Sequence, residues 1–75
     1  MGEFKAYTIE ELRSMYPIGI KLRLTKPIDD KYSSKKAGDI LTVSYIDDIG
    51  QIHGSWSCGG NIAIIMGYDE FEIVE

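Results

Sequence analysis

The chain has few of the residues that usually carry chemistry. Its 75 residues include one cysteine (Cys58), one histidine (His53) and one tryptophan (Trp56). A single cysteine cannot form a disulfide within the chain, and one cysteine with one histidine is too few for a closed zinc site. We therefore predict a protein without an internal disulfide, a metal or any other cofactor.

Long apolar runs are also missing. No segment approaches the roughly 20 apolar residues that cross a bilayer, and the N-terminal segment MGEFKAYTIEEL lacks the apolar core of a secretory signal. We therefore expect a cytoplasmic protein with no membrane partner. With 44% hydrophobic and 27% charged residues, the composition is that of a globular domain, and the length predicts a single domain over residues 1–75.

Basic residues are absent from the second half of the chain. Residues 37–75 carry seven carboxylates and no lysine or arginine, whereas residues 20–36 carry six basic residues and two acidic ones. The net charge of −4 argues against nucleic acid as the main partner. The uneven distribution indicates either an ordinary solvated surface or a polarised binding surface.

His53, Trp56 and Cys58 fall within six residues, which raises the question of a Cys/His active site. Five extended residues span about 16 Å, so Cys58 and His53 are too far apart to form a catalytic pair. We predict that the protein is not an enzyme and has no catalytic residue. Trp56 is expected to pack into the core beside Ile52, with an exposed binding anchor as the alternative. We expect His53 to point outward and Cys58 to be a turn residue.

An N-terminal helix is predicted over about residues 9–15. Thr8 and Glu11 form a capping-box pattern, and Ile9, Leu12 and Met15 recur at helical spacing. Pro17 disfavours further helix. A helix of about two turns is unstable alone, so we expect it to cover one end of the remaining structure.

The rest of the chain has the pattern of five short strands. Alternating apolar residues and turn residues place them near residues 20–24, 39–48, 51–56, 61–65 and 71–74. The second and third are joined by a short turn, the third and fourth by a tight hairpin at 57–60, and the last two by one helical turn at 66–69. We predict a mainly β fold, a small five-stranded SH3-like barrel over about residues 19–74 with one short N-terminal α-helix.

Gly54 takes an inward position in the third strand, between Ile52 and Trp56. A glycine in such a position weakens a strand and usually marks a bulge or the close approach of another group. We therefore predict one of these two features at Gly54.

A long polar loop, KPIDDKYSSKKAG, separates the first two strands. Loops of this length are often functional, and a tyrosine among lysines has no evident role in a core. Together with His53, the loop supplies a candidate binding surface, whose members are Lys26, Lys31, Tyr32, Lys35, Lys36 and His53.

Several short motifs recur in order along residues 16–74. They are Tyr16-Pro17-x-Gly19, Leu22-x-Leu24, Asp47-Asp48-x-Gly50-Gln51-Ile52-His53, Trp56-x-x-Gly59 and Gly67-x-Asp69-x-Phe71. In this pattern the chain resembles a family of small proteins of unknown function carried by phages, conjugative elements and Firmicutes-type gut bacteria. It departs from that family at Leu41, Gly54 and Ser57-Cys58. The resemblance implies the fold and a mobile-element origin, and it implies no biochemical role.

The first functional hypothesis is a small non-enzymatic module that acts through protein–protein interaction and inhibits a host-defence protein. The alternative is a binder of an anionic ligand, a nucleotide or an RNA or DNA backbone, through the basic loop at 26–36. A third possibility is a homo-oligomer in which the basic and acidic halves of two copies meet.

Overall fold

Five strands form one antiparallel sheet in the computed structural model, which describes residues 7–28 and 34–74. The elements are α1 (Ile9–Met15), β1 (Lys21–Leu24), β2 (Ile40–Ile46), β3 (Gln51–Trp56), β4 (Ile64–Ile65) and β5 (Phe71–Val74). The strand order is β4-β3-β2-β1-β5. The prediction of a mainly β fold with one short N-terminal helix is therefore confirmed. No helix in the described residues is long and apolar enough to cross a bilayer.

The sheet is not closed as a barrel, because β4 and β5 are its two edges within the described residues. β4 is also shorter than predicted, and β3 and β4 pair only at Gln51–Ile65 and Ile52–Ile64. The connection between them is therefore not a tight hairpin. Gly59 and Gly60 both adopt positive φ angles, and the Trp56 indole donates to the Ile62 carbonyl at 2.7 Å. The chain is thereby held around the indole before it reaches β4.

The helix begins at its predicted capping box. The Thr8 hydroxyl accepts from the Glu11 N–H at 3.1 Å, and the Thr8 N–H donates to the Glu11 carboxylate at 2.8 Å. The helix packs on the chain's own sheet, since Leu12 is buried and the Arg13 guanidinium donates to the Ile46 carbonyl at 2.9 Å. Of the expected apolar stripe, however, Met15 remains 36% exposed.

The core lies between α1 and the inner face of the sheet. Leu22 and Leu24 alternate with exposed residues along β1, and Trp56 joins Ile52 in the buried cluster. The prediction of a buried tryptophan is confirmed. The complete buried apolar set is Leu12, Tyr16, Leu22, Leu24, Leu41, Val43, Ile46, Ile52, Trp56 and Ile64.

Both features considered for Gly54 are present. The register between β2 and β3 shifts between Val43 and Tyr45, which places a bulge next to the Val43–Gly54 pair. A Cβ at Gly54 would lie 1.9 Å from the Thr42 carbonyl oxygen. Only glycine therefore fits without a shift of the backbone.

Candidate functional site

An apolar groove lies between the C-terminal end of α1 and strand β2. Its volume is about 700 Å³, and we call it the helix–β2 groove. It is lined by Arg13, Tyr16, Pro17, Ile18, Val43, Tyr45 and Ile46. Such a concave surface, mainly apolar with few polar groups, is typical of a binding site.

Two exposed apolar side chains line the groove. Ile18 is 80% exposed and Tyr45 is 54% exposed, whereas Tyr16, Val43 and Ile46 belong to the buried core. An exposed large apolar patch that continues into the core is more informative than a single exposed residue, because such patches mark interaction sites.

A turn holds Ile18 in place. Pro17 follows the helix, and the Ile20 N–H donates to the Pro17 carbonyl at 3.1 Å. Gly19 has a φ of 92°, which favours glycine, and its N–H donates to the Val43 carbonyl at 2.8 Å. The turn is thus tied to β2, with the Ile18 side chain in solvent.

The Tyr45 ring is held by His53. The bulge in β2 brings Tyr45 opposite His53 on the neighbouring strand, and their rings stack with centroids 4.5 Å apart at an angle of 4°. His53 is itself oriented by Asp47, because its Nε2 lies 2.8 Å from the Asp47 Oδ2. We expected His53 to point outward; it is not part of the buried core cluster, but it is half-buried and has partners.

Asp47 organises the turn between β2 and β3. Its Oδ1 accepts from the Gln51 N–H at 2.9 Å and from the Ile49 N–H at 3.1 Å. The hydrogen bond with His53 and then the one with Gln51 lower the pKa of Asp47 below its usual value. The carboxylate therefore remains charged while it holds both the turn and the imidazole.

The charged side chain in the lining of the groove is Arg13, and Asp48 lies beside it. The Arg13 guanidinium, already bonded to the Ile46 carbonyl, lies 3.7 Å from the Asp48 carboxylate. Asp48 is fully exposed, so this contact is weak. Asp48 itself is not one of the residues that line the groove.

The structure describes three of the lysines predicted from the basic loop, and their surroundings differ. Lys26 pairs with Glu70 at 3.2 Å, and Lys36 is exposed. Lys35 is buried: its Nζ donates to the Gly59 carbonyl and lies 5.4 Å from the centre of the Trp56 ring. Lys31 and Tyr32 lie outside the described residues.

His53 and Cys58 do not meet. The Cys58 thiol donates to the Asp39 carboxylate at 3.4 Å, while His53 contacts Asp47 and Tyr45. The same carboxylate accepts the Lys36 N–H at 2.8 Å, and this bond is the largest cause of the lowered pKa of Asp39. In residues 7–28 and 34–74 no group of three or more His, Cys, Asp or Glu residues could hold a metal ion.

A second depression of about 570 Å³ lies between the segments at 26–28 and 62–70. It includes Tyr68, which is 81% exposed. Its charged residues Lys26 and Glu70 are paired with each other, and the Asp69 carboxylate accepts the Ile65 N–H at 2.7 Å. The helix–β2 groove is the better candidate, because its lining is mainly apolar, whereas the lining of this depression includes the charged residues Lys26, Asp69 and Glu70.

Reasoning from the sequence missed Ile18 and Tyr45. Ile18 had a usable signal, because an isoleucine in the Tyr16–Gly19 turn stands outside any strand or helix pattern. Tyr45 had none, because the bulge that places it opposite His53 depends on the approach of Gly54 to Thr42.

The chain matches one family model, the domain of unknown function DUF4314, over residues 5–74. The chain therefore belongs to this family, which agrees with the expected unknown-function family. No curated protein and no solved structure matches the chain.

Proposed function

We propose that this member of the DUF4314 family is a non-enzymatic binding module whose helix–β2 groove takes an apolar side chain of a partner protein. The observation that carries the proposal is the pair of exposed residues, Ile18 and Tyr45, on a groove that continues into the core. Aromatic residues in such positions often supply much of the binding energy of an interface.

The position of Tyr45 before binding supports the proposal. Ordering a flexible side chain on binding costs about 0.5–1.5 kcal/mol of the binding free energy. Tyr45 is already stacked on His53, and His53 is already bonded to Asp47. Little of this cost remains when a partner covers the ring.

We further propose that the sheet is SH3-like. The strand order supports this, because β5 pairs with β1 and the other strands follow in sequence, as in the predicted architecture. The mobile-element origin, the cytoplasmic location and a host-defence protein as the partner stay predictions from the sequence.

The structure favours the anionic-ligand alternative less than the groove. Of the described lysines in the 26–36 loop, Lys26 is paired with a carboxylate and Lys35 is buried against Trp56. Because Lys35 holds the loop on the turn after β3, Lys36→Ala would test anion binding without removing that contact.

A pair of photo-crosslinking variants tests the proposal. Benzoylphenylalanine replaces Ile18 in one variant and Ile49 in the other; the two positions are 80% and 78% exposed, but only Ile18 lines the groove. Illumination in the producing cells should give a discrete adduct with another polypeptide from position 18 and not from position 49.

A second pair of variants makes the test specific to the groove. Tyr45→Ala should remove the position-18 adduct, and Tyr68→Ala, an equally conspicuous exposed tyrosine outside the groove, should leave it unchanged. Identical adducts from positions 18 and 49, or an adduct unaffected by Tyr45→Ala, would contradict the proposal. An adduct with the mass of two chains would identify a second copy as the partner.

A further inference from the structure

The helix–β2 groove includes neither edge strand of the sheet, and one of these edges is open. We infer that β5 is a second interaction surface, on which an extended segment of another protein adds as a further antiparallel strand. This segment carries a lysine or arginine between two apolar residues. The inference rests on the backbone groups, the apolar face and the acidic face of β5.

One side of β5 bonds to β1, and its other side is open. The Thr25 N–H donates to the Glu70 carbonyl at 3.0 Å, so these residues form a hydrogen-bonded pair at the start of the ladder between β1 and β5. Such pairs alternate with non-hydrogen-bonded ones, so the N–H and C=O groups of Phe71 and Ile73 point away from β1. Beyond β5 the described residues supply no further strand. Two donors and two acceptors are therefore available to an added strand.

The opposite edge of the sheet, at β4, is closed by its own chain. The Asp69 carboxylate accepts the Ile65 N–H at 2.7 Å. The N–H groups of Tyr68 and Asp69 donate to the Ile65 carbonyl at 3.1 Å and 2.9 Å. A strand could pair there only by breaking these bonds, so β5 is the edge that accepts one.

The core face of β5 is only partly covered. Ile73 lies opposite Leu22, which is fully buried, but Ile73 itself is 46% exposed. Phe71, on the same face, is partly buried and lines a depression of about 440 Å³ together with Tyr16. Two apolar side chains of an added strand, opposite Phe71 and Ile73, would therefore extend the core and remove apolar surface from water.

The outer face of β5 favours a cation. Arg23 of β1 contacts Glu72 at 2.8 Å and 2.6 Å, and both contacts end on Oε2, so neither uses Oε1. In an added antiparallel strand, the residue opposite Glu72 belongs to a non-hydrogen-bonded pair, in which the two side chains lie closest. Opposite charges in such a pair stabilise a sheet. A lysine or arginine at this position would therefore pair with Glu72.

A second copy of this chain does not supply the strand. Two antiparallel β5 strands satisfy all their open backbone groups only when Phe71 of each copy lies opposite Ile73 of the other. This register places Glu72 opposite Glu72, and like charges directly opposite each other destabilise a sheet. β5 contains no lysine or arginine. The added segment therefore belongs to another protein.

Titration of the ¹⁵N-labelled full chain with acetyl-Thr-Val-Lys-Val-Thr-amide tests the inference. The lysine can lie opposite Glu72, and the two valines opposite Phe71 and Ile73. We expect the amide protons of Phe71 and Ile73 to move downfield and to exchange more slowly with solvent, because they gain acceptors. The amide protons of Glu72 and Val74 face β1 and should change less.

Two matched peptides each change one feature of the probe. The peptide with N-methylated valines lacks the two N–H groups that would donate to the Phe71 and Ile73 carbonyls, so it should not bind detectably. The peptide with glutamate in place of lysine should bind about fivefold more weakly, because an attractive cross-strand pair becomes a repulsive one.

Variants of the protein test the same contacts. Glu72→Gln should remove the preference for the lysine peptide over the glutamate peptide, whereas Asp48→Asn, the same change of charge in the turn between β2 and β3, should keep it. Ile73→Pro removes an outward N–H, a change that an edge strand tolerates, and should abolish binding. The amide signals of the other strands show whether this variant is folded. Tyr45→Ala, in the groove, should leave binding unchanged.

The opposite results overturn the inference. Equal binding of the lysine and glutamate peptides would remove the cation, and binding of the N-methylated peptide would remove the added strand. Signal shifts confined to Ile18 and Tyr45, or no shifts at millimolar peptide, would remove β5 as the surface. The crosslinks from position 18 decide the proposed function separately.

Discussion

At the scale of single residues, Gly54 lies directly against the backbone of the neighbouring strand. A Cβ there would lie 1.9 Å from the Thr42 carbonyl oxygen and 2.8 Å from its carbon. Both atoms belong to the backbone of β2, next to the bulge, so they cannot rotate away as a flexible side chain would.

We predict that Gly54→Ala lowers the free energy of unfolding by about 3 kcal/mol or more, the upper part of the range for overpacked sites. Gly59→Ala is the control: Gly59 has a φ of 88° and open space around it, so it should cost only about 1–2 kcal/mol for the left-handed backbone. Urea unfolding followed by Trp56 fluorescence measures both. A Gly54→Ala variant as stable as Gly59→Ala would show that the bulge can relax.

The Asp47 carboxylate makes stability depend on pH. Its pKa is lowered in the folded protein, chiefly by the hydrogen bond from His53, so the folded state binds the proton more weakly than the unfolded state. The stabilisation is therefore complete above the unfolded pKa of about 3.9 and is lost as the pH falls through the lower folded pKa.

Asp47→Asn should thus lower the urea midpoint at pH 7. Between pH 5 and pH 2 the variant should lose less stability than the parent. Urea unfolding curves of both proteins at each pH measure the difference. Asp48→Asn is the matched control, because Asp48 is fully exposed and its contact with Arg13 is 3.7 Å long. If the Asp47→Asn variant and the parent lost the same amount of stability between pH 5 and pH 2, the assignment to Asp47 would be contradicted.

At the scale of elements, one buried side chain of the apolar stripe, Leu12, contributes most to holding the helix on the sheet. Leu12 is in the core and its Cδ1 would lie 3.3 Å from a Cβ at Gly50, so the helix rests closely on the turn between β2 and β3. Met15, at the other end of the stripe, remains partly exposed.

We predict that Leu12→Ala lowers the free energy of unfolding by about 2–5 kcal/mol, the usual range for a buried leucine. Met15→Ala should change it by less than about 1 kcal/mol, because the side chain already contacts solvent. Thermal melts of the two variants make the comparison. Equal destabilisation would mean that the helix packs through its whole stripe.

Deletion of residues 1–15 tests the element as a unit. Removing Leu12 and the bond from Arg13 to Ile46 should unfold the chain or cause it to aggregate, because a domain of this size has a small stability margin. Circular dichroism measured against temperature shows whether the truncated chain is folded and melts cooperatively. A cooperative melt at the parent temperature would instead free the helix to act as a partner-binding face.

At the scale of the whole molecule, charges of opposite sign meet within the chain. Arg23 on β1 pairs with Glu72 on β5, and Lys26 pairs with Glu70. Both pairs join the basic segment to the acidic one, which leaves less charge of either kind for contacts between copies.

We therefore predict that the hypothesis of association between basic and acidic halves fails. Light scattering should give the mass of one chain at salt concentrations from 0.05 to 1 M, a range over which screening shortens the Debye length from above 10 Å to about 3 Å. A dimer that dissociates as salt is added would restore the hypothesis. A dimer insensitive to salt would point to the apolar groove.

Local chemistry was enough to predict several elements. The helix has the predicted bounds at Ile9–Met15 because the capping box and Pro17 act on neighbouring backbone groups. Strands β3 and β5 also have their predicted bounds, since alternation and turn residues act over a few residues. The inward position of Gly54 was visible in the same alternation.

Contacts between distant segments decided the rest. The sheet stays open, and β4 has only two residues, Ile64–Ile65. The Ile62 carbonyl just before β4 accepts from the Trp56 indole of β3. Lys35 is buried because it meets Gly59 and Trp56, more than twenty residues away. The groove exists because the turn at Ile18 and the bulge at Tyr45 come together from separate elements. No pattern within a short window encodes such pairings, since each depends on where the other segment folds.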